Sequence, residues 1–472
     1  WKLNEGIDYL MAGIQYAGEY ILKEATLVTA SGVVLDLKGT IISFDIYENI
    51  FSTSLSGSFI FVDENNIITN GPIVGQEYLY LKVGTPDLDE YDIDFTQIPF
   101  TTYKINSRQD ASGGNAQIVQ VSFTSPEIIR NSRVRVSKSY TETIDKIVTD
   151  ILRDEKYIKT NKSLFIEPTS GIRKVICPNL HPYNFITNLA TESISSVNNN
   201  PFFMFYESTR GINFRSMESM FSEETMGDYA MGDFGKNEGK RPDVKKEFGR
   251  ILSFEVDANS DMLSNINSGM LGSSIIEYNI YNKSYIKSTY NYIDDFAKFP
   301  RINYEDISSD NPIYSQSPID DNDNTVGSFK DSRIHLHSVS SGGIFDTQHT
   351  NPVSSYNYQP NKIKDSLLHR QSKFNEIING ISIKMTINGS TNIHVGQTIN
   401  ITIPVAGKIH EKDLDKYYTG KYLITRLKHS FDQITKKHEI VLSASKDSFL
   451  ESIPDGNNIP EEISSMTNTL NY

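Results

Sequence analysis

Two long stretches of this chain carry the alternating residue pattern of β-strands, and a helical block separates them. Between residues 24 and 130, runs such as Tyr78–Val83 and Gln117–Phe123 alternate apolar with polar side chains and are spaced by Gly and Asn turns. Strands at this spacing predict a closed barrel or a sandwich. Strand patterns return from Ile251, so the sequence predicts a mainly β chain, α+β overall, with two β-barrels of similar architecture and no shared short repeat.

The helical block begins near residue 131. Apolar residues at spacings of three and four follow Ser139-Tyr140-Thr141-Glu142, which predicts a helix introduced by a capping box. A second helix is predicted after Pro182, with Phe185 facing inward. An aromatic β-hairpin is predicted next, with its turn at Thr209-Arg210-Gly211 and a returning strand that places Ile212, Phe214 and Ser216 on one face.

Residues 292–362 are dominated by Asp, Asn, Ser, Pro and Tyr, which predicts a long irregular loop that is bound to a partner or mobile. A helix over Lys364–Ile378 and a hairpin that turns at Asn388-Gly389 are predicted after it. The predicted domains are an N-terminal arm (1–23), a first β-barrel (24–130), an α+β middle domain (131–250), a second β-barrel split into 251–291 and 363–449, the loop (292–362) and a C-terminal tail (450–472).

Charge and cysteine content narrow the classes of function. The chain of 472 residues has a formal net charge of −14, which argues against tight nucleic-acid binding, because that affinity comes from clustered Lys and Arg. Cys177 is the only cysteine, so neither an intrachain disulfide nor a cysteine-based zinc site can form. No apolar run approaches the ~20 residues of a membrane span, so no membrane partner is predicted.

A search for chemistry finds weak candidates. His335 and His337 alternate along one strand near Asp331, Asp346 and His349, but no motif fixes a third metal ligand. Asp320–Asn324 lacks the Gly and the closing Glu of a calcium loop, and no phosphate loop or nucleophile elbow occurs. Arg426, Lys428 and His429, with Lys436-Lys437-His438 across a hairpin, form a basic patch that is predicted to be a solvated strand face or a subunit contact. We therefore predict no enzyme activity, no metal and no cofactor.

Several segments match a known pattern in the same order along the chain. They are Ile41–Glu48, Gly57–Asp63, Pro72–Leu79, Pro182–Leu189, Phe205–Glu207, Gly211–Ser216, Gly420–Phe431 and His438–Asp447. Together they resemble the T4-type central hub protein in the baseplates of contractile-tailed phages and, more distantly, the hub portion of type VI secretion spike proteins. The residues that carry the resemblance in the middle domain are Pro182, Phe185, Tyr206, Glu207, Gly211, Phe214 and Arg215.

The resemblance implies a structural protein of the virion tail baseplate, assembled in the host cytoplasm. Such hubs are homotrimers whose two tube-like barrels per subunit form a pseudo-six-fold ring. The implied partners are further copies of the chain, a spike protein below, a tail tube or tube-initiator protein above and a tape-measure protein in the lumen. DNA is expected to pass without specific binding, and an acidic inner wall would favour its passage.

Three other functions stay open at this point. The chain could be the hub of a phage-derived injection machine that carries no DNA. It could be a cell-wall-degrading tail enzyme, which would need paired carboxylates in a cleft. It could be a receptor-binding tail protein, which would favour exposed aromatic platforms. No β-helix repeat is found, so a spike is expected on a separate chain.

Overall fold

The computed structural model describes residues 14–64, 68, 71–111, 116–231, 244–258, 261–279, 283–303, 312–315, 318–338, 363–405, 414–451 and 453. The fold is mainly β, as the sequence predicts. Most of the predicted N-terminal arm and C-terminal tail, and about half of the predicted loop, lie outside the described residues. Among the described residues, the strands gather into one sheet of 14 strands, two sheets of three strands and one of two.

The first β region contributes eight strands to the large sheet. Their alternating burial places large apolar side chains such as Phe59, Phe61 and Phe123 in one core, which we call the first core. Phe44 and Leu79 belong to the same core. The strands are β1 (Ile21–Val28), β2 (Val34–Asp36), β3 (Ile41–Asn49), β4 (Ser56–Asp63), β5 (Tyr78–Gly84), β6 (Ile93–Asp94), β7 (Phe100–Asp110) and β8 (Gln117–Thr124).

The middle region carries short helices against two small sheets. Its buried stripe of Ile144, Ile147, Val148, Ile151 and Leu152 confirms the predicted helix and forms what we call the middle core. The elements are α1 (Pro126–Arg133), β9 (Ser139–Glu142), α2 (Ile144–Arg153), β10 (Leu164–Ile166), β11 (Arg173–Ile176), α3 (Pro182–Glu192), β12 (Phe203–Ser208), β13 (Gly211–Ser216) and α4 (Met217–Phe221).

The remaining elements surround the largest hydrophobic cluster, which we call the second core. They are β14 (Asp228–Ala230), α5 (Val244–Phe248), β15 (Ile251–Ala258), α6 (Met262–Ser268), β16 (Gly272–Asn279), β17 (Ser284–Asn291), α7 (Tyr292–Asp295), β18 (Ile334–Ser338), α8 (Ile363–Asn379), β19 (Ile381–Asn388), β20 (Thr398–Thr402), β21 (Gly420–Asp432) and β22 (Lys437–Lys446). The predicted helix over Lys364–Ile378 is confirmed as α8.

The large sheet consists of two halves with the same strand connections. Its order runs β15-β19-β22-β21-β3-β4-β8-β7-β5-β1-β2, and every neighbouring pair is antiparallel. In each half, the four strands taken in chain order occupy the first, second, fourth and third positions in the sheet. The resulting spatial orders are β3-β4-β8-β7 and β15-β19-β22-β21. An additional strand precedes the fourth strand in each half and pairs with its first residues, β5 with β7 and β20 with β21.

The two halves also show one local match in sequence once the strands are aligned. Ile42-Ser43-Phe44-Asp45-Ile46 in β3 corresponds to Leu252-Ser253-Phe254-Glu255-Val256 in β15. This single match does not amount to a repeat, so the sequence prediction that the two β regions share no short repeat stays a prediction. Five residues with two identities give too weak a signal to find by inspection, because other apolar-polar alternations in the chain look similar.

Three local predictions are corrected. Ser139–Glu142 is strand β9, and α2 begins after Thr143 without a side-chain capping hydrogen bond. The hairpin predicted to turn at Asn388-Gly389 does not form. Thr391–His394, which would be its returning strand, is not a strand, and β19 pairs with β15 and β22 instead. Of residues 251–291, only β15 joins the large sheet, while β16 and β17 form a separate sheet with β18.

Part of the predicted irregular loop is ordered. β18 lies within 292–362 and pairs in parallel with β16. Tyr292 and Phe296 are buried in the second core at the start of the same range. The division into domains otherwise stays a prediction.

Candidate functional site

The β12–β13 hairpin lies between the middle core and the second core. It is antiparallel with Phe205 opposite Phe214 and Tyr206 opposite Asn213, so the predicted hairpin is formed. Phe203, Phe205, Ile212 and Phe214 belong to the middle core, whereas Met204 and Tyr206 on the opposite face belong to the second core. A two-stranded hairpin buried on both faces joins two cores through one element, which explains the apolar run from Phe203 to Tyr206 in β12.

Helix α3 covers the middle-core face of the hairpin. Pro182 occupies its first turn, where a missing N–H costs nothing, and Phe185 faces the core as predicted. The Tyr183 ring meets Phe205 edge-on with centroids 5.1 Å apart. Arg215 is half-buried and forms an ion pair with Glu223.

The turn of the hairpin depends on glycine. Gly211 has φ +144°, and a Cβ there would lie 2.3 Å from the Ser163 carbonyl oxygen, so no other residue fits without moving the chain. The turn itself occupies Thr209 and Arg210, and β13 begins at Gly211. The Arg210 guanidinium donates to the carbonyl oxygens of Tyr91 at 3.1 Å and Thr391 at 2.9 Å. The turn is thus tied to both halves of the large sheet.

Glu207 connects the hairpin to the first β region through a buried network. Its carboxylate accepts hydrogen bonds from the Leu55 amide at 3.0 Å, the Ser125 hydroxyl at 2.7 Å and the Lys162 ammonium at 2.5 Å. Lys162 also lies 2.8 Å from Glu127. Burial disfavours the Lys162 charge, but the two carboxylates hold the pKa of Lys162 above its ordinary value.

A second buried polar network marks the place where the two halves of the sheet join. Strand β3 pairs with β21 from Ser43 opposite Asp432 to Asn49 opposite Arg426. Between these strands the Glu48 carboxylate lies 3.4 Å from His429 Nε2, and His429 Nδ1 lies 3.0 Å from His438 Nε2. Burial opposes the Glu48 charge, yet the adjacent His429 lowers the pKa of Glu48.

The predicted basic patch is therefore corrected. Arg426 is exposed and Lys428 half-buried, but His429 and His438 are fully buried inside the sheet. Burial, with the neighbouring His429, moves the pKa of His438 well below its usual value. A local sequence pattern cannot distinguish a buried strand histidine from an exposed one. The strand that pairs with β21 beside His429 is β3, which lies far away in the sequence.

A third buried network, made of charged side chains, lies at the second core. Arg301 Nη1 lies 2.5 Å from Glu376 and 3.7 Å from Asp447, and Lys373 forms an ion pair with Asp447. Glu218 on α4 is buried beside these groups, and neither of its carboxylate oxygens has a hydrogen-bond partner. Burial raises the pKa of Glu218 to about 8 in spite of Lys373 and Arg301 nearby. The sequence patterns do not indicate that Lys162, Glu48 and the Arg301–Glu376–Asp447 network form buried ionic groups.

Three of the five candidate metal residues lie among the described residues. His335 and His337 lie on β18, while Asp331 binds Lys287 at 2.7 Å, and Asp346 and His349 lie outside the described residues. In the part of the chain that the structure describes, no group of three His, Cys, Asp or Glu could hold a metal ion. In that same part, no helix is long and apolar enough to cross a membrane.

Comparison with known proteins identifies the class of protein. No family model matches the chain. Over 399 residues the chain is 23% identical to the probable baseplate hub protein gp334 of Vibrio phage KVP40. The alignment covers 83% of this chain and 87% of the relative. This similarity confirms the resemblance predicted from sequence, and it supports a location in the virion tail baseplate.

Two solved structures align with most of this chain. A tail protein from Neisseria meningitidis MC58 aligns with a TM-score of 0.49 at 10% identity and covers 91% of this chain and 97% of its own. The c3393 protein of E. coli, a type VI secretion component with reported similarity to the T4 tail proteins gp27 and gp5, aligns with a TM-score of 0.42 at 10% identity. That alignment covers 93% of this chain and 79% of the E. coli protein.

Proposed function

We propose that this chain is the central hub of a contractile tail and acts as a homotrimer that adapts the six-fold tail tube to the three-fold spike. Its similarity to a phage baseplate hub protein extends over most of both chains. The ring would form part of the channel through which DNA leaves the tail.

The repeated half-sheet carries this proposal. Each chain has two four-stranded units with the same order, the same directions and the same extra strand beside the fourth strand. Three chains around one axis would therefore present six nearly equivalent units to a six-fold tube, while their distinct middle regions repeat only three times. A protein built in this way can match six-fold symmetry on one side and three-fold symmetry on the other.

The solvent face of the eight strands suits a channel wall that DNA passes without binding. Its described charged residues are Asp45, Glu255, Asp432 and Glu439 with Lys104, Lys384, Arg426, Lys428 and Lys437. Opposite charges are interspersed, with Lys428 3.0 Å from Asp45. If this face lines the channel, the wall is mixed in charge, and the predicted acidic wall gains no support. Tight DNA binding would need a cluster of unpaired cations.

The partners follow from the same proposal. The chain binds two further copies of itself, a separate spike protein below and a tail tube or tube-initiator protein above, and the lumen accommodates a tape-measure protein. The relative from Vibrio phage KVP40 is named as a probable baseplate hub protein, so we propose a structural role without catalysis.

Light scattering across a concentration series tests the oligomer. A mass of three times the 53.3 kDa of the chain, alone or on addition of the spike protein, is the expected result. A monomer under both conditions would overturn the proposal. An assay of lytic activity on purified cell wall separates the hub from a wall-degrading enzyme, and the hub should show none.

A further inference from the structure

A cleft of about 960 Å³ lies where the two β regions meet. One wall is formed by Asp87 and Leu88, which follow β5 in the first region. The other walls come from residues within 226–229, 244–249 and 390–393. Clefts of this volume bury most of the surface of the group that binds in them.

Much of the cleft lining is apolar and incompletely covered. Ile393 is buried, whereas Leu88, Met226, Val244 and Phe248 are each only half-buried. Apolar area that stays in water costs about 25 cal/mol per Å² relative to burial. A second apolar surface that fits this cleft would therefore bind favourably.

The chain itself enters the cleft at Ile14. This residue is half-buried in the lining, and its amide donates to the Asp87 carboxylate at 3.1 Å. The residues after it are held at the turn between β21 and β22, where the Tyr16 hydroxyl donates to the Lys436 carbonyl oxygen at 2.9 Å. The path of the chain is thus fixed on one side of Ile14, and the residues before it must continue from the cleft.

The sequence before Ile14 has the pattern of a groove-binding helix. Ile7, Leu10, Met11 and Ile14 recur at spacings of three and four, so a helix would place them on one face and Tyr9 on the other. Amphipathic helices bind apolar grooves through anchors at these spacings. The fourth anchor, Ile14, is the residue that lines the cleft.

We propose that residues 7–13, which we call the arm segment, bind as a helix in this cleft of the same chain, with Leu10 and Met11 against its apolar walls. Leu10 is four residues from Ile14, so even an extended chain keeps it within about 14 Å of the cleft. The bound arm segment would fasten the first β region to the second. This contact lies within one chain and does not depend on the proposed trimer.

Tryptophan fluorescence tests the contact in the full-length chain. Trp1 is the only tryptophan, so Trp1→Phe gives a background in which one introduced tryptophan supplies the whole signal. Met11→Trp places this probe on the face toward the cleft, and Tyr9→Trp, two residues away, is the matched control on the opposite face. Emission at shorter wavelength and weaker quenching by acrylamide are expected for Met11→Trp. Equal quenching of the two probes overturns the proposal.

A change in the cleft wall tests the same contact from the other side. Phe248→Ser, added to the Met11→Trp chain, should raise quenching to the level of Tyr9→Trp. Phe165→Ser removes an exposed phenylalanine of β10 that does not line the cleft, and it should leave quenching unchanged. A Met11→Trp probe that stays protected in Phe248→Ser is buried elsewhere, which overturns the proposal.

A concentration series separates this contact from the trimer. Protection of the Met11→Trp probe in samples that light scattering shows to be monomeric supports the contact within one chain, even if the trimer fails. Protection that appears only together with oligomers overturns it and assigns the arm segment to the cleft of a neighbouring copy.

Discussion

The two halves of the large sheet share their strand order but differ in what lies beside equivalent strands. At the β3–β21 junction the chain covers its own edge and buries Glu48, His429 and His438 between the strands. At the equivalent edges of β7 and β15 the described residues leave the backbone open and the side chains more exposed. Equal topology therefore does not give equal stability, because burial depends on which strand is present as a neighbour.

The halves also differ in the connection between their first two strands. β3 reaches β4 through a short turn, whose Leu55 amide is held by Glu207. β15 reaches β19 only after β16, β17, β18 and α8, and the Arg301–Glu376–Asp447 network holds that insertion on the second core. Each connection is thus fixed by a buried ionic group of a different kind.

The largest expected effect compares equivalent phenylalanines. Phe44→Ala should lower the free energy of unfolding by about 3–5 kcal/mol, because Phe44 is buried and stacks on Phe431 with centroids 4.5 Å apart. Phe254→Ala should cost about 1–2 kcal/mol in the isolated chain, because that ring is only half-buried. Urea unfolding of both variants measures the difference, and equal losses would contradict the contrast between covered and open edges.

A somewhat smaller effect tests the tie between the hairpin and the first half. Glu207→Gln removes one of the two carboxylates beside buried Lys162 and should cost about 3 kcal/mol. The control is Glu155→Gln, which breaks the exposed Lys159 pair and should leave the unfolding midpoint unchanged. If both variants unfold at the same denaturant concentration, the buried network does not stabilise this connection.

An effect of opposite sign is predicted at Glu218, which is buried on α4 beside the Arg301–Glu376–Asp447 network. The pKa of its carboxyl is raised to about 8 in the folded chain, so its stability contribution is complete below the unfolded pKa near 4.5 and is lost as the pH rises toward 8. Glu218→Gln stays neutral and should therefore stabilise the chain by roughly 2–3 kcal/mol at pH 7. The gain should vanish at pH 4.5. A gain that is constant from pH 4.5 to 8 would show that charge is not its cause.

The smallest expected effect is the loss of stability in acid at the junction between β3 and β21. The folded pKa of His438 lies well below the ordinary value of 6.5, so the unfolded chain takes up a proton that the folded chain resists. This histidine should therefore cost about 1.4 kcal/mol of stability per pH unit below 6.5. Glu48, whose pKa is lowered, loses its contribution in the same direction at more acidic pH.

Unfolding midpoints of the wild-type chain and of His438→Gln, each measured at pH 7 and pH 5.5, isolate this contribution. The loss on acidification should be smaller in the variant. Equal losses in the two chains would place the pH dependence elsewhere.

Much of the local structure could be predicted from sequence. Strands β5 and β8 of the first region, helix α2 with its Ile144–Leu152 stripe, helix α3 after Pro182 and the hairpin that contains Phe214 follow from patterns within a dozen residues. The hub resemblance came from the order of such segments. The roles of Tyr206, Glu207 and Arg215 were predicted only as members of a motif.

The sequence by itself determined where strands and helices begin, because side-chain periodicity and turn residues act over a few positions. Only the tertiary structure decided which strands pair, that both halves share one sheet through β3 and β21, and that Lys162, Glu48, His429 and His438 are buried. Ser430 and Asp45, which touch at that junction, are 385 residues apart. Burial and pairing over such a separation depend on how the whole chain packs, and no local pattern records them.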